Sequence, residues 1–167
     1  MIIFRSEKTK KLNKKLILSI CKLKDTHWKN GLNSQLKHYK KISRDDDLNN
    51  LMFFDKKLIG YTLLRKRKFR IKKDKNNYLH FDTLIIDKNH RRSEKSKLLM
   101  NFNNLIIKKN NRPSFLTCKK KLVNFYKRFD WKVEKKKRFK TKILLKNKFV
   151  MSFNLNRRLR SGIELEI

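Results

Sequence analysis

Apolar residues follow a strand, turn and helix pattern in the middle of the chain. Residues 78–86 are rich in β-branched and aromatic side chains, which predicts a strand. A polar passage follows over residues 87–96, and the apolar positions after it take the spacing i, i+1, i+4, i+7 and i+8 of a helix. Those helical positions are Leu98, Leu99, Phe102, Leu105 and Ile106. Residues 114–118 predict a second strand, and a short helix is expected to end with residues 124–131.

The segments before this centre also show helix and strand patterns. Residues 2–4 predict a first strand, and an apolar stripe predicts a helix over residues 9–24. Asp25 and Thr26 are expected to end that helix and to cap a second one that continues to roughly residue 42. Two apolar runs, residues 51–54 and 58–64, surround a short polar turn and predict a β-hairpin.

The remaining segments indicate a single domain over residues 1–155. The basic stretch 65–75 is either a hairpin end in solvent or the edge of an anion-binding face, and its sequence does not distinguish the two. Residues 149–153 predict a last strand that pairs antiparallel with residues 131–133. Residues 156–167 are predicted to form a C-terminal tail, in which Ile163 and Leu165 are the residues that would order it.

A strand, a basic turn and a helix in this order form an arrangement that binds phosphate. The first amides of a helix have no partner within the helix, and the helix dipole favours an anion at the same end. The turn here contains Arg91 and Arg92 just before the predicted helix. The residues alone therefore predict an anion site at the start of that helix.

The net charge of the chain indicates an anionic partner. The chain of 167 residues has 48 Lys and Arg against 14 Asp and Glu, a formal net charge of +34. Such a charge favours nucleic acid, an acidic membrane surface or an anionic substrate. The chain also lacks alanine and is crowded with Lys, Asn and Ile. The alternative is therefore that part of the lysine excess reflects an AT-rich genome and forms a solvated surface.

Several chemistries are not indicated. Cys21 and Cys118 show no CxxC spacing, so we expect two buried thiols in a reducing compartment. The acidic run at residues 45–47 is expected to be a solvated loop, and no metal is predicted. No apolar run is long enough to span a bilayer, and the N-terminus lacks the order of a signal peptide, so the expected location is the cytoplasm.

The central segment resembles the GNAT acyltransferases (GCN5-related N-acetyltransferases). Residues 91–96 have the spacing of the family's Arg/Gln-x-x-Gly-x-Gly/Ala turn, with Leu99 at its helix leucine. Phe125 and Tyr126, followed by residues 129–131, resemble the family's later aromatic motif. Glu94 stands where the family has its first glycine, and Ser96 where it has Gly or Ala.

The resemblance implies a fold and a donor. The fold would be α+β with α/β/α layers, in which helices flank a mixed, mostly antiparallel central sheet. The acyl donor would be acetyl-CoA, with its pyrophosphate on the backbone amides of the turn. The implied donor-binding residues are Leu84, Ile85, Ile86, Arg91, Arg92, Ser93, Glu94, Lys95, Ser96 and Lys119. Of these, Lys119 replaces an asparagine that often contacts the pantetheine arm in the family.

The resemblance also implies three catalytic candidates. Tyr126 matches the tyrosine that protonates the departing CoA thiolate. His80 stands where some members carry a catalytic glutamate, and Asp82 is the next candidate base. Alternation along a strand places His80, Asp82, Leu84 and Ile86 on one face. Each of the three catalytic candidates also has a purely structural interpretation. Tyr126 would be a core aromatic, His80 a histidine at a strand end, and Asp82 a carboxylate paired with a lysine.

Two classes of function follow. The first is an N-acyltransferase that acts by direct attack of an amine on acetyl-CoA in a ternary complex, as a monomer or a homodimer. A basic cleft would favour an anionic small-molecule acceptor over a lysine-rich protein tail. The second is a basic nucleic-acid-binding protein, although the chain contains no recognised nucleic-acid motif. A GNAT fold that binds without catalysis is a third alternative.

Overall fold

A computed structural model of the chain describes residues 1–91, 94–141, 147–156 and 162–165. These residues form four α-helices, nine β-strands and three short 3₁₀ helices. The helices are α1 (Lys14–Trp28), α2 (Leu32–Ile42), α3 (Lys95–Lys109) and α4 (Lys120–Lys127). The strands are β1 (Ile2–Lys8), β2 (Leu48–Phe54), β3 (Lys57–Ile71), β4 (Asp74–Ile86), β5 (Ser114–Lys119), β6 (Lys132–Val133), β7 (Phe139–Thr141), β8 (Lys148–Phe153) and β9 (Ile163–Leu165). The fold is therefore α+β, as predicted.

The chain divides into two compact units, and β3 and β4 each contribute to both. Unit 1 comprises residues 1–65 and 82–103, and unit 2 comprises residues 66–81 and 104–167. In unit 1 the strand order is β1-β2-β3-β4. In unit 2 the order is β3-β4-β5-β8-β6, and β9 pairs with both β3 and β7. The pairing of β4 with β5 and of β7 with β9 is parallel, whereas β1–β2, β2–β3, β5–β8, β6–β8 and β3–β9 are antiparallel.

Unit 1 has helices on both faces of its strands. One core joins α1 and α2 to the sheet through buried residues that include Ile20, Tyr39, Leu63 and Ile85. A second core packs α3 on the sheet through Met52, Ile59, Ile86 and Leu99. Within this unit the layers are therefore α/β/α, as predicted.

The boundary between α1 and α2 differs from the prediction. α1 continues to Trp28 instead of ending at Asp25, because Thr26 stays in the helix and its hydroxyl donates to the carbonyl of Leu23 at 2.7 Å. Asp25 acts one turn later, where its carboxylate accepts the backbone N–H of Gly31 at 2.8 Å. Gly31 has a φ of +82°, a conformation that glycine adopts without the steric cost of a Cβ. The first turn of α1 begins later than predicted, at the Asn13 cap.

The predicted hairpin forms, and its second strand is longer than expected. β2 and β3 pair antiparallel around Asp55 and Lys56, which have φ of 45° and 66°. Positive φ at both turn positions matches the twist of the strands. β3 then continues through the basic stretch as far as Ile71, and β4 begins at Asp74. The stretch 65–75 is thus the outer half of a hairpin, with Phe69 buried among its cations.

Unit 2 is built on an aromatic core. Phe69, Tyr78, Phe115 and Phe139 are buried together with aliphatic residues of β8 and β9. The predicted antiparallel pairing of residues 131–133 with residues 149–153 is confirmed, because Lys132 lies opposite Ser152 and Val133 opposite Met151. The prediction that residues 149–153 form the last strand is wrong, since β9 follows β8. The predicted helix ending over residues 124–131 is wrong at its C-terminal end, since α4 stops at Lys127.

Three smaller expectations can be compared with the structure. Ile163 and Leu165 of the predicted tail are buried in β9. Cys21 and Cys118 are both buried and free of disulfides, as expected. Asp47, within the acidic run expected to be a solvated loop, is instead fully buried and accepts the backbone N–H of Arg44 at 2.9 Å. Within the described segments no helix is long and apolar enough to cross a bilayer, and no three His, Cys, Asp or Glu side chains group as a metal site.

Candidate active site

The turn that follows β4 is fixed by backbone hydrogen bonds in unit 1. The N–H of Asp87 donates to the carbonyl of Ile59 at 2.7 Å, and the Asp87 carboxylate accepts the N–H of Asn89 at 3.0 Å. Nε of Arg91 donates to the carbonyl of Ile86 at 3.0 Å. The chain is thereby held at the end of β4 and directed towards α3.

The Arg91 guanidinium also contacts α1. Its Nη2 lies 3.1 Å from Nδ1 of His27, in the last turn of that helix. Because arginine only donates, this nitrogen of His27 accepts, and it can do so only in the neutral imidazole. Burial lowers the pKa of His27, and the Arg91 charge lowers it further. His27 therefore helps to position the arginine that was predicted to bind the donor.

The N-terminus of α3 lies directly after this turn. α3 begins at Lys95, whose Nζ lies 5.8 Å from the centroid of the Phe54 ring, and Ser96 is partly buried in the first turn. The first amides of such a helix have no intrahelical partners and favour an anion. Arg92 and Ser93, also predicted to bind the donor, lie outside the described residues.

Glu94, just before α3, forms an ion pair with a lysine of the first turn of that helix. Glu94 is exposed, and its carboxylate pairs with Nζ of Lys97 at 3.1 Å. An exposed pair of this kind contributes little to stability, but it places a cation beside the acid. The negative charge that replaces the expected glycine is therefore compensated locally.

The close approach of α3 to the sheet explains why residue 60 is a glycine. A Cβ at this position would lie 2.9 Å from Cδ1 of Ile86, 3.1 Å from Cβ of Met52 and 3.2 Å from Cδ2 of Leu99. Such distances leave no room for a methyl group without movement of buried neighbours. Glycine at this position lets α3 reach the strands and thereby positions the N-terminus of the helix.

The three strand residues predicted to contact the donor are part of the cores. Leu84 and Ile86 pack on the α3 side, and Ile85 packs on the side of α1 and α2. Their side chains are therefore committed to packing. A contact with the donor would come from their main chain.

A polar cavity of about 270 Å³ lies in unit 1 among α1, α2 and β4. Among the described residues that line it, only Trp28 has a largely apolar side chain. The cavity is lined by Lys24, Trp28, Asn30, Ser34, Gln35, His38, Asp82 and Thr83. Its size and polarity suit a small polar molecule better than a hydrophobic one.

Asp82 faces this cavity and is surrounded by cations. Its carboxylate lies 3.3 Å from Nη1 of Arg65, and its side chain is 27% exposed. The side chain of Lys24 is almost completely buried, and this burial lowers its pKa, while the charge of Asp82 acts in the opposite direction. Burial also lowers the pKa of His38, and the Lys24 charge lowers it further.

The predicted shared face of β4 is wrong. Asp82 lines the cavity next to α1 and α2, whereas Leu84 and Ile86 pack on the side of α3. Ile85, three residues after Asp82, packs on the same side as Asp82. Strict alternation would place two residues with this spacing on opposite faces, so the strand is irregular between them.

Tyr126 lies in an aromatic cluster of unit 2. Its ring centroid is 6.1 Å from those of Phe81 and Trp131, and the residue is 8% exposed. Trp131 is fixed in turn because its Nε1 donates to Oδ1 of Asn104 at 3.0 Å. Burial raises the pKa of Tyr126, with a smaller contribution from Cys118. The phenol therefore keeps its proton at neutral pH.

The other two predicted residues also lie in unit 2. His80 is buried, and its ring stacks on that of Tyr78 with 6.3 Å between the centroids. Lys119 is exposed and caps the N-terminus of α4 through its backbone conformation, without a side-chain hydrogen bond.

The cavity residues on α1 and α2 were not among the predicted site residues. Lys24 had a recognisable signal, because it follows Ile17 and Ile20 at helical spacing and so interrupts an apolar face. A lysine on a buried face is rare unless it is paired. Gln35 had a similar signal, because it lies at helical spacing from Leu32 and Tyr39 and so interrupts another apolar face, whereas His38 lies beside that face.

Comparisons with known proteins agree on the fold. No protein-family model matches the chain, and no curated protein matches it. An acyl-CoA N-acyltransferase from Pseudomonas aeruginosa superposes with a TM-score of 0.70 at 12% identity, covering 91% of this chain and 99% of that one. ElaA from Escherichia coli superposes with a TM-score of 0.65 at 15% identity, with the same coverage. A PaiA N-acetyltransferase from Thermoplasma acidophilum in complex with coenzyme A gives 0.61 at 17% identity, covering 91% and 98%. The chain therefore has the GNAT fold, as the resemblance predicts.

Proposed function

We propose that this chain is an acyl-CoA-dependent N-acyltransferase that moves an acetyl or other acyl group to the amine of a small acceptor. The observation that carries the proposal is that β4 connects two chemically different sites in unit 1. Asp82 on this strand lines a polar cavity, and four residues later the strand ends at the turn held by Arg91. The resemblance to an N-acetyltransferase that was solved with coenzyme A adds support.

The donor is proposed to bind through its pyrophosphate at the N-terminus of α3. The first-turn amides would donate hydrogen bonds to the phosphate oxygens, and the guanidinium of Arg91 would add a positive charge. The ion pair between Glu94 and Lys97 keeps the Glu94 carboxylate compensated. The residues present are thus compatible with a diphosphate at this turn.

The acceptor is proposed to bind in the polar cavity of unit 1. Asp82 would interact with its ammonium group, and Lys24 would face an anionic group on the same molecule. A lysine with so little solvent is stabilised in its charged form by an anion nearby. We therefore propose as acceptor a small amine that also carries a carboxylate or a phosphate, since such a molecule would pair with both Asp82 and Lys24.

The reaction is proposed to be a direct transfer in a ternary complex. Asp82 would take a proton from the acceptor ammonium, directly or through water, and the free amine would attack the thioester carbonyl. The carbon–sulfur bond then breaks, and Tyr126 would give its proton to the departing thiolate. Because burial raises the pKa of Tyr126, the phenol still carries its proton when the thiolate leaves. His80 is the second candidate for the base.

Calorimetry with acetyl-CoA tests the donor site. We expect micromolar affinity that exceeds the affinity for ATP and survives an increase in salt. Arg91→Ala should weaken binding by about tenfold, the order of one charge-assisted hydrogen bond. Lys88→Ala, which removes an exposed cation of the same turn, is the matched control and should have little effect. Equal, salt-labile binding of acetyl-CoA and ATP would rule out the donor assignment.

Release of free thiol with a panel of small anionic amines tests turnover. Asp82→Asn and Tyr126→Phe should each lower kcat by about 10²-fold or more, the range of general acid and base catalysis. If His80→Gln lowers kcat and Asp82→Asn does not, the base is His80. Tight binding of acetyl-CoA without turnover of any amine would identify a GNAT-fold binding protein instead.

A further inference from the structure

The net charge of the chain is concentrated in unit 2. This unit has 27 Lys and Arg against five Asp and Glu in 80 residues, a net charge of +22. Unit 1 has 21 against nine, a net charge of +12, although it carries the proposed donor turn and acceptor cavity. The needs of acyl transfer therefore do not explain where most of the positive charge lies.

Two cavities of unit 2 share the segment that follows β8. The first has a volume of about 520 Å³ and includes Lys108, Lys132 and Arg138 in its lining. The second has a volume of about 630 Å³ and includes Asn76, Asn77 and Arg112. Both are lined by Asn154, Leu155 and Asn156. Because they share these residues, we treat them as one feature, the amide groove.

The lining of the amide groove combines cations with side-chain amides. Its amides are Asn76, Asn77, Asn111, Asn154 and Asn156. Two of them also shape the backbone, because Asn111 and Asn154 have φ of 49° and 56°. Asn154 further donates from Nδ2 to the carbonyl of Arg112 at 3.0 Å, which fixes the loop that carries this arginine.

The acidic groups of the groove are largely compensated. The side chain of Glu134 is 9% exposed and pairs with Nη1 of Arg138 at 2.6 Å, and it also accepts the hydroxyl of Ser152 at 2.6 Å. Asp130 is the other acid, against the cations Lys108, Arg112 and Lys132. The groove therefore presents net positive charge together with groups that both donate and accept hydrogen bonds.

We propose that the amide groove binds a single-stranded nucleic acid. Cations placed along a groove neutralise successive phosphates, and amides can hydrogen-bond to the edges of unpaired bases. A cavity of several hundred cubic ångströms admits a base or a nucleotide, whereas a duplex is too wide to enter it. The activity is additional to acyl transfer and uses no residue assigned to it.

Fluorescence anisotropy with labelled 12-nucleotide RNA and DNA single strands tests the proposal on the full chain. The groove variant carries Lys108→Gln, Arg112→Gln and Lys132→Gln. The control variant carries Lys14→Gln, Lys15→Gln and Lys22→Gln, three exposed cations of α1, so both variants lose the same charge. Thermal unfolding and acetyl-CoA binding verify that both variants remain folded.

We expect the groove variant to bind at least tenfold more weakly at 150 mM salt, and the control variant to change by less than threefold. The dependence of log K on log salt should become shallower by about two for the groove variant, since each phosphate contact contributes about 0.7. The RNA and DNA arms show which sugar is preferred. Equal losses in both variants, equal affinity for a duplex, or equally effective competition by polyglutamate would overturn the proposal, because each indicates general charge attraction.

Discussion

Nη2 of Arg91 lies 3.1 Å from Nδ1 of His27, and Nε of the same arginine donates to the carbonyl of Ile86. The arginine of the predicted phosphate turn is thus held between the end of β4 and the last turn of α1. This geometry requires a neutral imidazole, because two cations at this distance repel. The protonation state of His27 is therefore linked to the position of Arg91.

The first prediction concerns acid sensitivity at His27. Its pKa is lowered in the folded state, so the unfolded chain binds more protons between the folded and unfolded pKa values. The stability that neutral His27 contributes is therefore complete above about pH 6.5 and is lost as the pH falls. Wild type should lose stability relative to His27→Gln between about pH 7.5 and pH 5.5, measured by urea unfolding. A stability difference that stays constant with pH would contradict this linkage.

The second prediction concerns Lys24, which is 3% exposed. Because burial lowers its pKa, the unfolded chain binds more protons between the folded pKa and about 10.4. The free energy of unfolding of wild type should therefore rise with pH relative to that of Lys24→Met. At neutral pH the variant should equal or exceed wild type by up to about 2 kcal/mol, since it no longer buries a charge.

A matched variant separates this effect from the general loss of positive charge at high pH. Lys22→Met alters an exposed lysine of the same helix and should follow the pH profile of wild type. Urea unfolding at three pH values between about 7 and 10 provides the comparison. If both methionine variants show the same profile, Lys24 titrates as an ordinary surface lysine and the prediction fails.

The third prediction concerns the contact between the sheet and α3. Gly60→Ala should lower the free energy of unfolding by about 1–3 kcal/mol, the usual cost of an added methyl group in a packed core. Ile86→Val removes Cδ1, the atom nearest to the added Cβ, and should cost about 0.5–1.5 kcal/mol alone. The double variant should lose less than the two single losses together. Additive losses in urea unfolding would show that this clash does not cause the effect.

The centre of the fold is predictable because its signals are local. The strand before the turn and the helix after it each have their own apolar period, so β4 and α3 are found close to their expected positions. The outer half of β3 is not predictable in this way. Its many cations hide the strand pattern in the sequence. In the structure this segment buries Phe69 in the core and pairs with β9, which lies about 90 residues later in the chain.

The candidate site was less accessible to sequence reasoning than the fold. The turn and Tyr126 have motif spacing, but the polar cavity depends on the side of β4 that Asp82 faces. Alternation along β4 predicts the opposite side. The strand departs from alternation through a local irregularity, which leaves no mark in the sequence. The contact of His27 with Arg91 joins residues 64 positions apart, and only the end of α1 at Trp28 brings them together.

The last prediction concerns Asn103, which is fully buried in α3. Its Oδ1 accepts the side-chain amide of Asn50 at 2.7 Å, and its Nδ2 donates to the hydroxyl of Thr62 at 2.9 Å. Asn103→Leu would remove both hydrogen bonds and leave the buried polar groups of Asn50 and Thr62 without this partner. The expected loss is about 2–4 kcal/mol, because each unsatisfied group costs about 1–3 kcal/mol.

The control for Asn103 lies two residues earlier on the same helix. Asn101→Leu makes the same chemical change at an exposed position and should alter stability by about 0.5 kcal/mol or less. Thr62→Val in the Asn103→Leu background removes one of the unpaired groups, so it should recover part of the loss. Recovery of this kind, measured by urea unfolding, would assign the loss to unsatisfied hydrogen bonds. An Asn103→Leu variant as stable as Asn101→Leu would instead show that α3 is held to β2 and β3 by apolar packing alone.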